Sequence, residues 1–195
     1  MGKSITKEEI ASFEVEEFPG KIYVIDNPLD AKKATRYLSQ FEFLGFDTET
    51  RPSFKRGDLH SVSLIQLSTS DTCFLFRLNG NGFPLPLIDL LSNPKILKIG
   101  LSLKDDFLSM SRLLKFSPQG FVDLQKIVQK YGIEDLSLQK IYAILFRKKI
   151  SKGQRLSNWE AEELTESQKK YAALDAWACL KIYEYLQQKK EADPF

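Results

Sequence analysis

The sequence is poor in cysteine and histidine, the residues that build disulfide frameworks and most zinc sites. Its 195 residues include two cysteines and one histidine. Cys73 and Cys179 lie far apart, each within an apolar stretch, so we expect two buried reduced thiols and no disulfide. His60, the single histidine, precedes a predicted strand. This composition argues against a function based on zinc.

Long hydrophobic runs and an excess of one charge are also missing. No run approaches the ~18 apolar residues that a membrane span needs, and the first 18 residues are rich in Lys and Glu, with no signal-peptide core. We therefore expect a cytoplasmic chain with no membrane partner. The formal net charge is only +2, so nucleic-acid binding would need a local basic patch.

One local basic patch is present, in the segment before the last predicted helix. As phosphate contacts, its residues would follow the backbone of a single nucleic-acid strand. As an ordinary surface, they would only face solvent. The residues of the patch are Arg147, Lys148, Lys149, Lys152 and Arg155.

The order of the predicted elements indicates an α/β fold. An initial strand and helix are followed by an apolar strand over 43–47 and a hairpin over 62–67 and 72–78. Strands and helices then alternate to the end of the chain, which predicts a mixed central sheet flanked by helices. We assign a lead-in segment to 1–20 and a single domain to 21–190. No G-x-G-x-x-G follows a strand, so dinucleotide binding is disfavoured.

Two acidic residues mark the end of the strand over 43–47. Residues i and i+2 of a strand point to the same side, so Asp47 and Glu49 can converge on one cation. Backbone pairing stops where a strand ends, and the side chains there face a cleft. An acidic turn without a bound ion is the alternative interpretation.

Further acidic groups lie in predicted helices. Tyr171 and Asp175 are one turn apart on the same face of the last helix, between alanines that permit close packing against a sheet. Asp105 and Asp106 lie in the first turn of the helix that follows the strand over 96–101. A structural tyrosine–aspartate pair and ordinary partners of the helix dipole are the alternatives.

The combination of these acids favours a metal site. Three or four carboxylates in one cleft would repel one another, and their pKa values would rise unless a divalent cation neutralised them. Carboxylate oxygens suit Mg²⁺ or Mn²⁺. A pair of such ions about 4 Å apart stabilises both the attacking and the leaving oxygen of a phosphodiester.

Three segments resemble the sequence motifs of the DEDD superfamily of 3′→5′ exonucleases. They are Phe46–Thr50, Lys98–Asp106 and Tyr171–Ala176. The tyrosine is typical of the DEDDy branch. Within that branch, Leu156–Trp159 and Leu164–Ala173 are most similar to the Werner-syndrome exonuclease type. The likeness covers nearly the whole chain.

The resemblance implies a ribonuclease-H-like fold, with a mixed sheet of about five strands flanked by helices. It also implies two divalent ions, Mg²⁺ or Mn²⁺, as cofactors. Asp47, Glu49 and Asp175 would hold the first ion, Asp47 would bridge to the second, and Asp106 would act mainly through water. Tyr171 would orient the water that attacks the phosphodiester.

The second motif contains two adjacent acids. Asp106 is preferred because it falls four residues before Met110, where the motif has an apolar residue, and Asp105 is its rival. Ser102 stands where many relatives have Asn or His, so contacts near this motif are expected to differ.

Two residues near the first motif, Thr48 and Phe54, are candidate contacts for the nucleic acid. Phe54 lies in a polar loop with no obvious core to enter, so its ring is available to stack on a terminal base. Leu64 and Trp159 are better explained as core residues.

The predicted function is hydrolysis of nucleic acid from a free 3′ end, releasing nucleoside 5′-monophosphates. The Werner-type likeness favours DNA, and ribonuclease D-like processing of RNA 3′ ends is the alternative. A binding module of the same fold without catalysis is a further alternative, which the intact acids and tyrosine argue against.

Overall fold

The computed structural model describes residues 3–54, 60–78, 82–113 and 117–192 of the chain. Strands and helices alternate along most of this length, as the sequence predicts. The six strands are β1 (Lys21–Ile25), β2 (Phe43–Thr50), β3 (Val62–Ser68), β4 (Thr72–Arg77), β5 (Leu97–Gly100) and β6 (Phe121–Asp123).

Seven α-helices occur in the described ranges, together with a 3₁₀ helix over Gln129–Tyr131. None of them combines the length and the apolar character that crossing a lipid bilayer requires. The helices are α1 (Lys7–Ala11), α2 (Pro28–Leu38), α3 (Leu85–Leu91), α4 (Leu103–Ser111), α5 (Leu124–Val128), α6 (Leu138–Phe146) and α7 (Glu166–Ala192).

The strands form one mixed sheet in the order β1-β4-β3-β2-β5-β6. β3 runs antiparallel to its neighbours β2 and β4, and the other pairs are parallel. The predicted α/β fold with a mixed central sheet is therefore confirmed. The sheet has six strands where the family resemblance implies about five. One edge is formed by β6, which has only three residues.

Helices cover both faces of the sheet. α2, α3 and α4 pack on one face, where they meet Leu44 and Phe46 of β2. α5, α6 and α7 cover the other face. Because side chains alternate along a strand, Gly45, Asp47 and Glu49 point towards α7. The predicted site is therefore on the α7 side of the sheet.

The start of α7 is fixed by a capping box formed by Thr165 and Gln168. Thr165 Oγ1 accepts a hydrogen bond from the backbone N–H of Gln168 at 3.2 Å, and Gln168 Oε1 accepts one from the backbone N–H of Thr165 at 3.0 Å. Gln168 Nε2 also donates to Ser157 Oγ and to the carbonyl of Asn158. The segment before the helix is thus joined to its first turn.

The N-terminal segment, residues 3–18, packs against the rest of the fold. Isolated backbone bridges join Lys3 to Ile133 and Val15 to Lys149. The segment contains α1, a short helix that was not predicted from the sequence and that is capped by Thr6. The domain boundary at residue 20 stays a prediction.

Both cysteines are buried free thiols, as predicted. Cys73 is fully buried in β4, and Cys179 is almost fully buried in α7. They contribute to packing on the α7 side of the sheet.

Candidate active site

The end of β2 presents the first two acids of the site. Asp47 and Glu49 point to the α7 face, one on each side of Thr48 in the sequence. The register of the pairing with β3 shifts between Glu49 and Thr50, so regular pairing ends just beyond the two acids. Glu49 is only 8% exposed. The strand therefore delivers two carboxylates to the same partly enclosed place.

α7 crosses β2 in close contact beside these acids. A Cβ atom added to Gly45 would overlap the backbone carbonyl of Ala176, so the helix backbone rests directly on the strand. Asp47 lies two residues after Gly45, and Asp175 directly precedes Ala176. The close approach therefore brings Asp175 over the end of β2.

Asp47, Glu49 and Asp175 form a compact cluster of carboxylates. One oxygen from each lies within 4.8 Å of the other two. Burial raises the pKa of all three carboxyl groups, and repulsion from neighbouring carboxylates raises the pKa of Asp47 and Glu49 further. Without a positive charge among them, these groups are costly to ionise.

The donor set fits a hard divalent cation. All three groups offer carboxylate oxygens, which are the ligands that Mg²⁺ and Mn²⁺ prefer. Asp175 is 8% exposed, and its Oδ1 has no hydrogen-bond donor among the residues that the structure describes. A buried oxygen without a donor is available to a metal ion. Asp47, Glu49 and Asp175 are therefore the residues that would hold a metal.

The fourth predicted acid reaches the site from α4. Asp106 Oδ1 accepts a hydrogen bond of 2.5 Å from Thr48 Oγ1, and its charge contributes to the raised pKa of Asp47. Burial raises the pKa of Asp106 to about 6, although the Thr48 bond opposes the rise. Asp105 is exposed. Of the two adjacent acids, Asp106 is the one that faces Asp47, outside the tight cluster of three.

A left-handed turn between β5 and α4 aims the helix that carries Asp106. Ser102 has a φ of 60°, a region in which Asn and His are better tolerated than most residues. The Asp123 carboxylate holds this turn, since it accepts hydrogen bonds from the backbone N–H groups of Ser102 at 3.1 Å and Leu103 at 3.2 Å. Asp123 was not among the predicted site residues, although the sequence has this acid at the end of a short strand.

The Ser102 turn leads to a stability prediction. Ser102→Val should destabilise the protein by about 2 kcal/mol, because a β-branched residue is strongly disfavoured at positive φ. Ser102→Gly should leave stability unchanged or slightly raised, since glycine adopts this conformation without strain. Unfolding in urea measures the free energy of unfolding of both variants, which differ only at this exposed position. Equal stabilities for the two variants would contradict the strained turn.

Tyr171 lies one turn before Asp175 and is held as a neutral phenol. Interaction with its hydroxyl lowers the pKa of the Asp175 carboxyl. Burial, followed by the nearby charges of Asp175, Glu49 and Asp47, raises the pKa of Tyr171 well above its usual value. Its ring centre lies 6.0 Å from that of Trp159, which is fully buried. The raised pKa favours the protonated form of the Tyr171 phenol.

A cleft of about 290 Å³ opens beside Tyr171 and Asp175. The start of α6 and the segment over 150–155 form its opposite wall, where Lys152 and Arg155 line the cleft. Arg155 opposes the rise that burial causes in the pKa of Glu49. Lys152 does the same for Asp175. Two residues of the predicted basic patch therefore lie near the acidic cluster.

Two other residues of the basic patch contact the N-terminal segment. Lys148 Nζ lies 3.0 Å from Glu16 Oε1, and Lys149 Nζ donates to the carbonyl of Ala11 at 2.8 Å. The patch is thus divided into a part that lines the cleft and a part that holds this segment. Nucleic-acid contact by Lys148 and Lys149 stays a prediction.

The aromatic and apolar candidates for nucleic-acid contact differ in their exposure to solvent. Phe54 lies beyond the end of β2 with its side chain 79% exposed, and its stacking on a base stays a prediction. Leu64 and Trp159 are fully buried, so their interpretation as core residues is confirmed.

One buried polar residue beside the site was not predicted. Gln66 of β3 lies opposite Asp47 in the antiparallel pair and is fully buried. Its Nε2 and Oε1 atoms find no hydrogen-bond partner within the described part of the chain. Buried amides normally have hydrogen-bond partners. A glutamine within a mostly apolar strand was therefore the sequence signal that could have indicated this residue.

The fold and the site together define a class of protein. The acids at the end of β2, on α4 and on α7, with a tyrosine one turn before the last acid, match the arrangement implied by the DEDDy resemblance. A family model described as 3′-5′ exonuclease matches residues 22–191. The chain therefore belongs to the 3′-5′ exonuclease family, whose members are nucleases of the hydrolase class.

Two similar proteins are also described as 3′-5′ exonucleases. The bifunctional 3′-5′ exonuclease/ATP-dependent helicase WRN of Mus musculus is 34% identical over 180 residues, covering 87% of this chain and 13% of that protein. A 3′-5′ exonuclease of Arabidopsis thaliana is 29% identical over 170 residues, covering 84% of this chain and 58% of that protein. The chain thus spans less than two thirds of either relative.

Solved structures show the same fold. The EXO domain of Aedes aegypti Nibbler superposes with a TM-score of 0.77 at 21% identity, covering 98% of this chain and 93% of that one. Escherichia coli RNase D, an exoribonuclease involved in structured RNA processing, superposes with a TM-score of 0.78 at 24% identity, covering 88% and 45%. The predicted ribonuclease-H-like fold is therefore confirmed.

Proposed function

We propose that this chain hydrolyses nucleic acid from a free 3′ end and releases nucleoside 5′-monophosphates, with divalent metal as cofactor. The convergence of Asp47, Glu49 and Asp175, one oxygen each within 4.8 Å, carries the proposal in a chain of the 3′-5′ exonuclease family. Two ions, Mg²⁺ or Mn²⁺, would supply activation of water and stabilisation of charge on the phosphodiester.

Each side chain then has a defined task. Asp47, Glu49 and Asp175 hold metal, and Thr48 keeps Asp106 turned towards them through its hydrogen bond. Tyr171 is the neutral donor that orients the attacking water, because its raised pKa keeps the proton on the phenol.

The role of Tyr171 can be tested by removing only its hydroxyl. We expect Tyr171→Phe to lower kcat roughly 10²-fold with little change in KM, because a positioning hydrogen bond is lost while the ring stays packed against Trp159. Steady-state hydrolysis of an oligonucleotide measures this. Tyr23→Phe, at a tyrosine on β1 that is 47% exposed, is the matched control. A wild-type kcat for the Tyr171→Phe variant would show that the tyrosine hydroxyl has no role in the reaction.

Lys152 and Arg155 are proposed to contact the phosphates of the strand that enters the cleft. They line the cleft beside Tyr171 and Asp175, and their positive charge suits a polyanion. Asp175 and these two cations thus line the same cleft. Phe54 is proposed to stack on a base beyond it.

DNA is the substrate that we propose, supported by the 34% identity to the mouse relative of the Werner type. RNA is the second candidate, supported by a Ribonuclease D of Haemophilus influenzae that is 31% identical over 111 residues. Parallel digestion of single-stranded DNA, duplex DNA with a recessed 3′ end, and RNA of the same sequence tests the choice. We expect kcat/KM to be higher for DNA, and a preference for RNA would overturn it.

A further inference from the structure

The N-terminal segment contacts the chain just before α6. The backbone N–H of Lys3 donates to the carbonyl of Gly132 at 2.6 Å, and the N–H of Glu134 donates to the carbonyl of Lys3 at 3.1 Å. The N–H of Ile5 donates to Asp135 Oδ2 at 3.0 Å. These contacts fix the approach to a helix whose first residues line the cleft.

The same segment contacts the chain again just after α6. The backbone N–H of Lys149 donates to the carbonyl of Glu14 at 2.9 Å, and the N–H of Glu16 donates to the carbonyl of Lys149 at 2.8 Å. The Arg147 guanidinium lies 4.6 Å from the centre of the Phe13 ring. The segment therefore spans α6 and holds the chain on both sides of it.

The Glu16 carboxylate is the buried centre of this second contact. Glu16 is 7% exposed, and it accepts hydrogen bonds from Tyr142 at 2.6 Å, Lys148 at 3.0 Å and Lys181 at 3.1 Å. Burial alone would raise the pKa of Glu16, but these three donors outweigh it and lower the pKa to about 2. The carboxylate thus joins α6, α7 and the chain after α6.

Lys181 depends on this carboxylate for its charge balance. Its Nζ lies 4.5 Å from the ring centre of Trp177, 4.9 Å from that of Phe146 and 2.7 Å from the hydroxyl of Tyr142. The aromatic rings partly enclose the cation, and Glu16 supplies the opposing negative charge.

The contact around Glu16 is separated from the cleft by very few residues. Ile150 directly follows Lys149 and is buried, and its carbonyl accepts a hydrogen bond from Gln139 Nε2. Lys152 and Arg155 come next and line the cleft. Lys149 is thus close in sequence to the two cations that line the cleft, with the buried Ile150 between them.

We propose that Glu16 is a positioning residue for substrate binding. It fixes α6 and the chain at Lys148, and so sets the place of Lys152 and Arg155 opposite the metal ligands, without touching the substrate. This proposal deepens the proposed function and rests on it for the identity of the substrate. It gives the N-terminal segment a role in the site although the family match begins at residue 22.

The first test replaces the carboxylate by an amide. Glu16→Gln should raise KM for a single-stranded oligonucleotide about 5–10-fold and change kcat less than about 2-fold, because binding cations move while the metal ligands stay in place. The shift of the unfolding temperature on adding Mg²⁺ should equal that of the wild type. Glu17→Gln, at the exposed neighbouring position, is the matched control and should keep the wild-type KM.

A second variant guards against simple loss of folding. Tyr142→Phe removes one donor to Glu16 and keeps both the ring and the ion pairs. It should raise KM about 2–3-fold, in proportion to the loss of one contact. Circular dichroism sets an assay temperature at which every variant is folded.

A double-variant experiment separates positioning from general stability. In a background with Lys152→Ala and Arg155→Ala, Glu16→Gln should cause no further loss of affinity, since the residues that it positions are gone. A full additional loss in that background, or an unchanged KM in the single variant, would overturn the proposal.

Oligonucleotide affinity, measured by fluorescence anisotropy in EDTA, distinguishes a failure of the positioning role of Glu16 from a failure of the proposed function. If the wild type binds oligonucleotide and Glu16→Gln weakens binding about 5–10-fold, the positioning role stands even when no cleavage occurs. Absence of cleavage by the wild type with Mg²⁺ and with Mn²⁺ would instead contradict the proposed function. Equal affinities for wild type and Glu16→Gln would contradict the positioning role alone.

Discussion

Asp47→Asn is expected to lower the exonuclease rate by at least about 10³-fold, because it removes a charged ligand from the metal site. Burial raises the pKa of Asp47, and the nearby charges of Asp175 and Asp106 raise it further. The substitution keeps the size of the side chain. Single-turnover hydrolysis with Mg²⁺ and with Mn²⁺ measures the loss.

The same variant should be more stable than the wild type when metal is absent. Burial and repulsion raise the pKa of Asp47, so ionising it in the folded state opposes folding at neutral pH. Removing this ionisable group should raise the free energy of unfolding in EDTA by about 1–3 kcal/mol. Mg²⁺ should stabilise the wild type and give Asp47→Asn a much smaller shift.

The pH dependence in EDTA has a defined sign. Above pH ~4 the carboxyl groups of the unfolded chain lose their protons, while the cluster retains them in the folded state. Because the unfolded state then binds fewer protons, the stability of the wild type should fall as pH rises from about 4 towards neutrality. Asp47→Asn should show a shallower fall.

Two substitutions control for the general effect of removing an acid. Asp89→Asn, at an exposed position in α3, should change neither activity nor metal-free stability. Asp105→Asn should keep most activity while Asp106→Asn loses it, because Asp106 bonds to Thr48 and Asp105 is exposed. A greater loss from Asp105→Asn would reverse their assignment.

Gly45→Ala is expected to damage both stability and activity, although Gly45 carries no functional group. The added Cβ would overlap the backbone carbonyl of Ala176, and a backbone atom has no rotamer by which to avoid it. We expect a loss of about 3 kcal/mol in the free energy of unfolding. We expect a fall of about 10²-fold in rate where the variant is folded, because α7 and Asp175 must move away from Asp47.

Gly153→Ala is the control for the effect of adding a methyl group. A Cβ at Gly153 would meet its nearest atom, Ser151 Oγ, at 3.4 Å, which is ordinary contact, so stability should stay within about 0.5 kcal/mol. Chemical denaturation and Mg²⁺ titration compare the two glycine variants. A folded Gly45→Ala variant with wild-type Mg²⁺ affinity would show that the close approach of α7 to β2 does not determine the positions of the metal ligands.

The central part of the site could be predicted from the sequence because its geometry is local. Strand alternation places Asp47 and Glu49 on one side, and one helical turn places Tyr171 over Asp175. The structure also brings Asp175 to Asp47 and Glu49, a grouping that the family resemblance implies. The periodicities could not predict the point where α7 meets the sheet, because that point depends on Gly45 and Ala176 together.

The surroundings of the site depend on contacts between distant residues, which a single sequence does not display. Asp123 holds the turn at Ser102 across 21 positions, and Glu16 pairs with Lys148 across 132. For the same reason the cluster of basic residues over 147–155 was interpreted as one unit, either a phosphate-binding surface or a solvent-exposed face. In the structure its members face two different partners, the cleft and the N-terminal segment.

The most direct test of the account is a pair of end-labelled DNA strands incubated with the protein and Mg²⁺. We predict that the 5′-labelled strand shortens one nucleotide at a time, and that the 3′ label is released first as a mononucleotide. Both products should be absent with EDTA and with Asp47→Asn. Internal cleavage, release of the 5′ label first, or a ladder that persists in Asp47→Asn would contradict a metal-dependent 3′→5′ exonuclease centred on these carboxylates.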